Sequence, residues 1–419
     1  MTGYEVALAI KDGINRVDSS VNVKIAPVAD GGDGTLKTMV DVTNGEIIKE
    51  NVNDPLGKEI EAEWGKLGDN QTAVIEMARA SGLALLNENE KSALNTTTYG
   101  TGQLFKAALD SGAKKFILGI GGSATNDGGA GFVSAIGAKL LDKNNNDVFP
   151  SGANLNSIEN IDLSNIDKRI NQIEVKVACD VNNPLCGDSG ASVIFGPQKG
   201  ANTDQIKILD ENLFYWSQLI ETQIGKNIRD IPGAGAAGGL GAGLMAFVNA
   251  ELALGADIVL DTLDYEKKLP GIDLVIVGEG QTDKSTQFNK SPVAVSSRAK
   301  KYGIPVICIS GSLGEGFKEC SSQGIDSFFS IVNKPMELDY ALDNAYDLNK
   351  ELNSSRANLA SISRSFDHSV FERKELKLQN KDSGSPPLLV GTFVEVTLPG
   401  KLLEDIFFCL LYTSDAADE

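Results

Sequence analysis

"DLVIVGEGQTDKSTQFNKSPVAVSSRAKKYGIPVICISGS", residues 273–312, decides the fold. It holds two Val- and Ile-rich runs, 273–280 and 304–312, and each ends in glycine. Between them, 291–303 carries helical spacing and opens with Ser-Pro, a helix-start signal. Near-continuous apolar runs of this length read as strands buried on both faces, and parallel strands need a crossover helix. The order strand, glycine loop, helix, strand is a βαβ unit in a parallel sheet.

Working outward, the same rhythm returns near the start of the chain. "GYEVALAIKDGINRV" (3–17) has the apolar period of a helix, and "VNVKIAPVADGG" (21–32) reads as a strand entering a glycine loop. Between about 45 and 77, Pro-Leu-Gly and Gly-Asp-Asn turns separate short strands. Residues 98–112 read as a helix, "KKFILGIGG" (114–122) as a strand, 129–142 as a helix and 171–185 as a strand running to an acid and a Pro turn. The α/β alternation at both chain ends, with a mixed pattern between, predicts two α/β domains. One is a parallel-sheet domain from 1–60 and 268–361; the other is an insertion, 61–267. A helical run over 336–362 ends the pattern. Residues 362–419 break it, and "CLLYTSDAADE" resembles a translated sequencing adaptor, so this segment is expected to be foreign or disordered.

Composition narrows the function. Lys and Arg total 38 against 57 Asp and Glu, a net charge of −19. Nucleic acid and anionic membranes both need basic patches, which excludes them as partners. The five cysteines form no CxxC pair, which suits a reducing compartment. No signal peptide and no apolar run of membrane-spanning length is present, so a cytoplasmic location is expected. The single histidine, His368, lies in the atypical tail. The body of the chain therefore has no histidine for acid–base or triad chemistry. Carboxylates, lysines, backbone amides and a hard cation are left.

Six segments share one grammar of small residues around an acid or a lysine: "ADGGDGT" (29–35), "GGSATNDGG" (121–129), "CDVNNPLCGDSGA" (179–191), "FGPQKGA" (195–201), "PGAGAAGGLGAG" (232–243) and "GEGQTDKSTQFNKSP" (278–292). In open α/β sheets, ligands bind in the crevice at the carboxyl ends of the strands. Successive amides there make an anion nest, strengthened by a helix N-terminus. The glycines of 121–129 are thus expected to wrap a phosphate, although "PGAGAAGGLGAG" also suits close packing of backbones. For Mg·ATP as ligand, the acids gain a common task, because phosphoryl transfer needs positioning, a bridging metal and a carboxylate near the attacking hydroxyl. Asp30, Asp33, Asp127, Asp180, Glu279 and Asp283 lie in these loops, and Lys199 and Lys290 are placed to clamp an anion.

Two familiar motifs nearly match. Gly119-Ile-Gly-Gly-Ser-Ala124 satisfies G-x-G-x-x-A after a strand, which leaves a nicotinamide-dependent dehydrogenase as an alternative. "GEGQTDKS" (278–285) resembles a phosphate loop, but Asp283 stands where glycine is needed and would repel a triphosphate.

The ordered motifs "PVADGGDGT", "GIGGSATNDGGAG", "CDVNNPLCG", "FGPQKGA", "PGAGAAGGLGAG" and "DLVIVGEGQTD" resemble those of the bacterial glycerate kinase family over about residues 3–361. The resemblance implies ATP-dependent phosphorylation of D-glycerate by a monomer or homodimer, with the parallel-sheet domain flavodoxin-like and the ligand cleft between the domains. It implies a catalytic set of Asp180, Asp283, Lys199 and Lys290, with Asp127 and Glu279 near Mg²⁺. Nucleotide and substrate contacts are expected from Asp30, Gly31, Gly32, Gly34 and Thr35, from Gly121, Gly122, Ser123, Thr125, Asn126, Gly128 and Gly129, and from Asn183, Gly196, Gln198, Gly235, Gly238, Gly239, Gly278 and Gly280. Family members open with a strand and a loop resembling "APDSFKGSLSA", whereas this chain starts at "MTGYEVALAI". A central strand and a Ser- and Lys-bearing loop are therefore expected to be missing, with an inactive remnant as a further alternative. Asn289-Lys290 stands where the family tends to have Gly-Lys.

Overall fold

A computed structural model describes residues 3–28, 32, 34–287, 290–332, 334–352 and, for the backbone, 405–411. Helix α1 (Gly3–Val17) leads to strand β1 (Asn22–Val28) and helix α2 (Thr35–Thr43). Strands β2 (Glu46–Asn53), β3 (Glu59–Lys66) and β4 (Thr72–Glu76) follow, then α3 (Ala78–Ser81), α4 (Tyr99–Asp110), β5 (Lys115–Gly119) and α5 (Ala130–Ala135). After β6 (Lys139–Leu141), β7 (Asn160–Asp162) and β8 (Glu174–Ala178) come α6 (Ala191–Phe195), α7 (Thr203–Ile224), α8 (Ala236–Val248) and β9 (Glu251–Ala253). The chain continues through α9 (Gly255–Thr262), α10 (Tyr265–Lys268), β10 (Leu274–Thr282), α11 (Ser291–Lys301), β11 (Val306–Leu313), β12 (Ser327–Ser330), α12 (Leu338–Asp343) and α13 (Ala345–Leu352) to β13 (Asp405–Leu411).

The strands form two main sheets. The first runs β1-β13-β10-β11-β12, and its pairings are all parallel. The second runs β2-β3-β4-β5-β8-β9; β2/β3 and β3/β4 are antiparallel, and β4/β5, β5/β8 and β8/β9 are parallel. This is the expected α/β class. The βαβ unit at 273–312 is β10-α11-β11, with register Val275↔Val306 through Thr282↔Leu313.

Apolar patterning explains how the two sheets join. Helix α2 buries Leu36 and Met39 completely, and α9 buries Ile258 and Val259. These residues share one core with Val74 of β4, Ile117 of β5 and Val275 of β10. Each such side chain contributes about 1.5–3 kcal/mol, so the two sheets are held through α2 and α9 as one packed body.

Three differences from the sequence expectations have physical reasons. The helix expected over 129–142 stops at Ala135, because Gly137 turns with φ +112° and a Cβ there would lie 2.3 Å from the Asn165 carbonyl oxygen; Leu140 then enters the β6-β7 ribbon. The second sheet begins with β2 at Glu46, ahead of the boundary at 61, since β2 pairs along its whole length with β3. Residues 405–411, inside the segment 362–419, hold the slot between β1 and β10. Their sequence "DIFFCLL" is the near-continuous apolar run that a central parallel strand requires. The other residues of 353–419, including His368, lie outside the described residues, as do Asp30, Gly31, Asp33 and Asn289.

Candidate active site

The strand order places the carboxyl ends of β4, β5 and β8 side by side, and their loops interlock. Met77 N–H donates to the Gly119 carbonyl (2.9 Å), Leu83 N–H to Gly122 (2.8 Å) and Ala124 N–H to Ser81 (2.9 Å). Glu76, the last residue of β4, is 3 % exposed and reaches across to α2, where its Oε1 accepts from Leu36 N–H at 2.9 Å. Its Oε2 accepts from Arg79 Nε at 2.9 Å. A carboxylate of the second sheet thus caps the helix that follows β1 of the first. Thr35 N–H donates to the Gly32 carbonyl (3.2 Å) and Thr38 N–H to Gly34 (3.0 Å), which ties the end of the 29–35 loop to that same helix. Sequence reasoning passed over Glu76; an acid ending the apolar run "TAVIE" was the available signal.

Within the 121–129 loop, Asp127 is an anion held by donors of the chain itself. Its carboxylate is fully buried. It accepts from Thr98 N–H (2.7 Å), Thr98 Oγ1 (2.8 Å), Gly129 N–H (3.1 Å) and Gly131 N–H (3.1 Å). Burial pushes its pKa up, and the bonds from Thr98, Gly131 and Gly129 oppose that. A Cβ at Gly131 would lie 2.2 Å from Thr97 Oγ1, so the glycine serves this approach. Asp127 therefore caps α5 from within the core, where the donors named above all belong to the chain.

Lys199 is equally buried, 1 % exposed. Its Nζ donates to Ser123 Oγ (2.7 Å) and to the Thr125 carbonyl (2.8 Å). Burial pushes its pKa down to about 7, against the pull of Asp127. In this setting Lys199 braces the 121–125 backbone. Asn126 Nδ2 donates to Ser192 Oγ at 3.0 Å.

Two further loops close around the first. Gly128 N–H donates to the Gly238 carbonyl (3.0 Å), and Gly235 N–H to Asn183 (3.0 Å). Ala237, Gly238 and Gly239 are left-handed inside α8. A Cβ at Gly238 would stand 1.9 Å from the Thr125 carbonyl oxygen. Residues 232–243 are thus a packing segment, and Gly235, Gly238 and Gly239 act on the loop beneath. Gly196 is buried and Gln198 exposed. Asp180 is exposed just past β8 and accepts from Gly255 N–H, the first residue of α9, at 3.2 Å.

On the first sheet, the end of β10 carries the remaining acids. Gly278 pairs with Ile309 and Leu410 inside the sheet. Glu279 Oε1 accepts from Thr282 Oγ1 at 2.8 Å, and Thr282 Oγ1 lies 2.5 Å from Ser310 Oγ. Burial raises the Glu279 pKa; hydrogen bonds from Thr282 and Thr286 and the charge of Lys290 oppose the rise. Asp283 is held low, first by the Ser285 hydroxyl and also by Lys290. Glu279, Asp283 and Lys290 thus share one electrostatic neighbourhood and all reach solvent. Among the described residues no group of three His, Cys, Asp or Glu side chains is arranged to hold a metal. Mg²⁺ on a nucleotide needs one or two carboxylates, and Glu279 with Asp283 fits that demand.

The structure therefore brings together the loops at 121–129, 179–191, 195–201 and 232–243 on the second sheet. It groups Glu279, Asp283 and Lys290 on the first, and ties the sheets through Glu76.

Residues 1–362 match the model of the glycerate kinase family. The chain is 47 % identical over 363 residues to a glycerate kinase of Halalkalibacterium halodurans, covering 87 % of this chain and 95 % of that one. It is 47 % identical over 347 residues to a glycerate 2-kinase of Escherichia coli, covering 83 % and 91 %. The crystal structure of a putative glycerate kinase 2 from Salmonella typhimurium LT2 superposes with a TM-score of 0.79 at 42 % identity, covering 87 % and 96 %.

Proposed function

Since the chain belongs to the glycerate kinase family, we propose that it transfers the γ-phosphoryl group of Mg·ATP to the 2-hydroxyl of D-glycerate, in the crevice between the carboxyl ends of the two sheets. The family makes it an ATP-dependent kinase, a phosphotransferase. The choice of the 2-hydroxyl follows the Escherichia coli relative, which carries the name glycerate 2-kinase. Among the described residues no helix is long and apolar enough to cross a membrane.

One observation supports this reading: Glu76, at the carboxyl end of β4 in the second sheet, accepts from Leu36 N–H of α2 at 2.9 Å, which brings that strand end against the helix following the 29–35 loop of the first sheet. Glu279 and Asp283 are the residues to hold Mg²⁺, which would bridge phosphate oxygens and neutralise charge developing on them. Lys290 clamps phosphate beside them. Asp180, exposed at the end of β8, is the carboxylate to orient the glycerate hydroxyl and accept its proton. Lys199 and Asp127 contribute by fixing the 121–129 backbone.

The test is ADP release by the full chain with ATP, Mg²⁺ and D-glycerate, with the product assigned by ³¹P NMR. Glycerate-dependent release and a 2-phosphoglycerate signal are expected. ADP release that does not respond to glycerate refutes the activity, and a 3-phosphoglycerate signal refutes the regiochemistry.

A further inference from the structure

Most glycines among the described residues whose surroundings are known have a local reason to lack a side chain. Gly57, Gly112, Gly187, Gly225, Gly271 and Gly303 face open space, and each has φ between +71° and +95°, where other residues are strained. Gly129, Gly131 and Gly238 would clash with neighbouring atoms. Gly121 and Gly280 have neither reason. Nothing stands within 4 Å of the place of a Cβ, and φ lies outside the left-handed region at both. Both are exposed, and both lie at the carboxyl end of an interior strand: Gly121 just past β5, and Gly280 within β10. Glycine inside a strand costs about 0.5–1 kcal/mol relative to alanine. When packing does not explain it, it often marks close approach by a ligand.

We infer that Gly121 and Gly280 are the two points where substrates lie against the main chain, Gly280 under the nucleotide polyphosphate and Gly121 under the acceptor acid. The inference rests on the kinase reading. Gly280 stands between Glu279 and Asp283, in the field of Lys290, a charge set suited to a cation-bridged polyphosphate. Gly121 precedes Gly122, whose Cβ would meet Ala78 at 3.4 Å. That places it beside the turn bearing Arg79, a 36 % exposed side chain that pairs with Glu76 at 2.9 Å and Glu63 at 3.5 Å; a guanidinium carries five N–H donors and can take a further carboxylate beside these.

The experiment is Gly121→Ala and Gly280→Ala in the full chain, read by melting temperature, by calorimetric titration of Mg·ATP and by glycerate kinetics. Both variants should melt at the wild-type temperature or up to about 2 °C above it, because alanine at a compatible backbone stabilises. A methyl group in a fitted contact should weaken Mg·ATP binding to Gly280→Ala about tenfold or more, and should raise KM for glycerate by a similar factor in Gly121→Ala with Mg·ATP binding within about twofold of wild type. Wild-type binding and kinetics in either variant overturn the inference, as does a lowered melting temperature, which would return the glycine to the fold. Exchanged effects overturn the assignment of the two ligands. Should the wild type bind Mg·ATP but not phosphorylate glycerate, the functional reading fails while the titration still judges Gly280.

Discussion

Replacing Lys199 with methionine should change how stability depends on pH. The ammonium is buried with two hydrogen bonds, to Ser123 Oγ and the Thr125 carbonyl, and with Asp127 as its opposing charge. Burial lowers its pKa from 10.5 to about 7. Between those values the unfolded chain holds a proton that the folded chain has released, so wild-type stability rises with pH across that window. Below pH 7 both states are protonated and the full penalty is present. From about pH 7.5 to about pH 9.0 the two pKa values give a gain of about 2 kcal/mol. Lys199→Met keeps the buried length but removes the titration, at the cost of two acceptors left without a donor. The assay is urea unfolding of both proteins at the two pH values, followed by circular dichroism. Subtracting the variant cancels the other titrating groups, and the difference should grow in favour of wild type by about 2 kcal/mol on going to the higher pH. Parallel pH curves for the two proteins would refute the buried-ammonium account of this loop.

Two other substitutions probe the same framework. Asp127→Asn puts an amide among donors that now share one carboxylate, and should destabilise the chain by about 3–5 kcal/mol; a urea-derived loss below about 1 kcal/mol would show that the carboxylate is dispensable. Glu76→Gln keeps an acceptor for Leu36 N–H but loses the charge facing α2 and Arg79. It should cost about 1–2 kcal/mol and lower kcat/KM, because α2 carries the 29–35 loop; unchanged melting and kinetics would remove Glu76 from any role in joining the sheets.

Local patterning made much of the fold legible. The helix at 3–17 is found with those bounds, and the Val- and Ile-rich runs at 273–280 and 304–312 are β10 and β11. The glycine loops could be recognised as one set, because small residues beside an acid are visible in the chain itself. The task of each loop was not visible. Asp127 and Glu279 look alike in sequence, each an acid among glycines, yet one is sealed in the core by Thr98 and Gly131 and the other reaches solvent at a strand end.

The sequence by itself determined the α/β class, the parallel βαβ unit, the family and the pool of residues from which a site can be built, since these depend on short-range periodicity and composition. Only the tertiary structure decided which glycines serve packing and which face open space, that Asp127 is held in the core by Thr98, Gly129 and Gly131, and that 405–411 lies between β1 and β10. The physical reason is separation along the chain: Lys199 meets Ser123 across 76 residues and Glu76 meets Leu36 across 40. Whether a polar atom is satisfied or exposed is set by neighbours that local patterning does not encode.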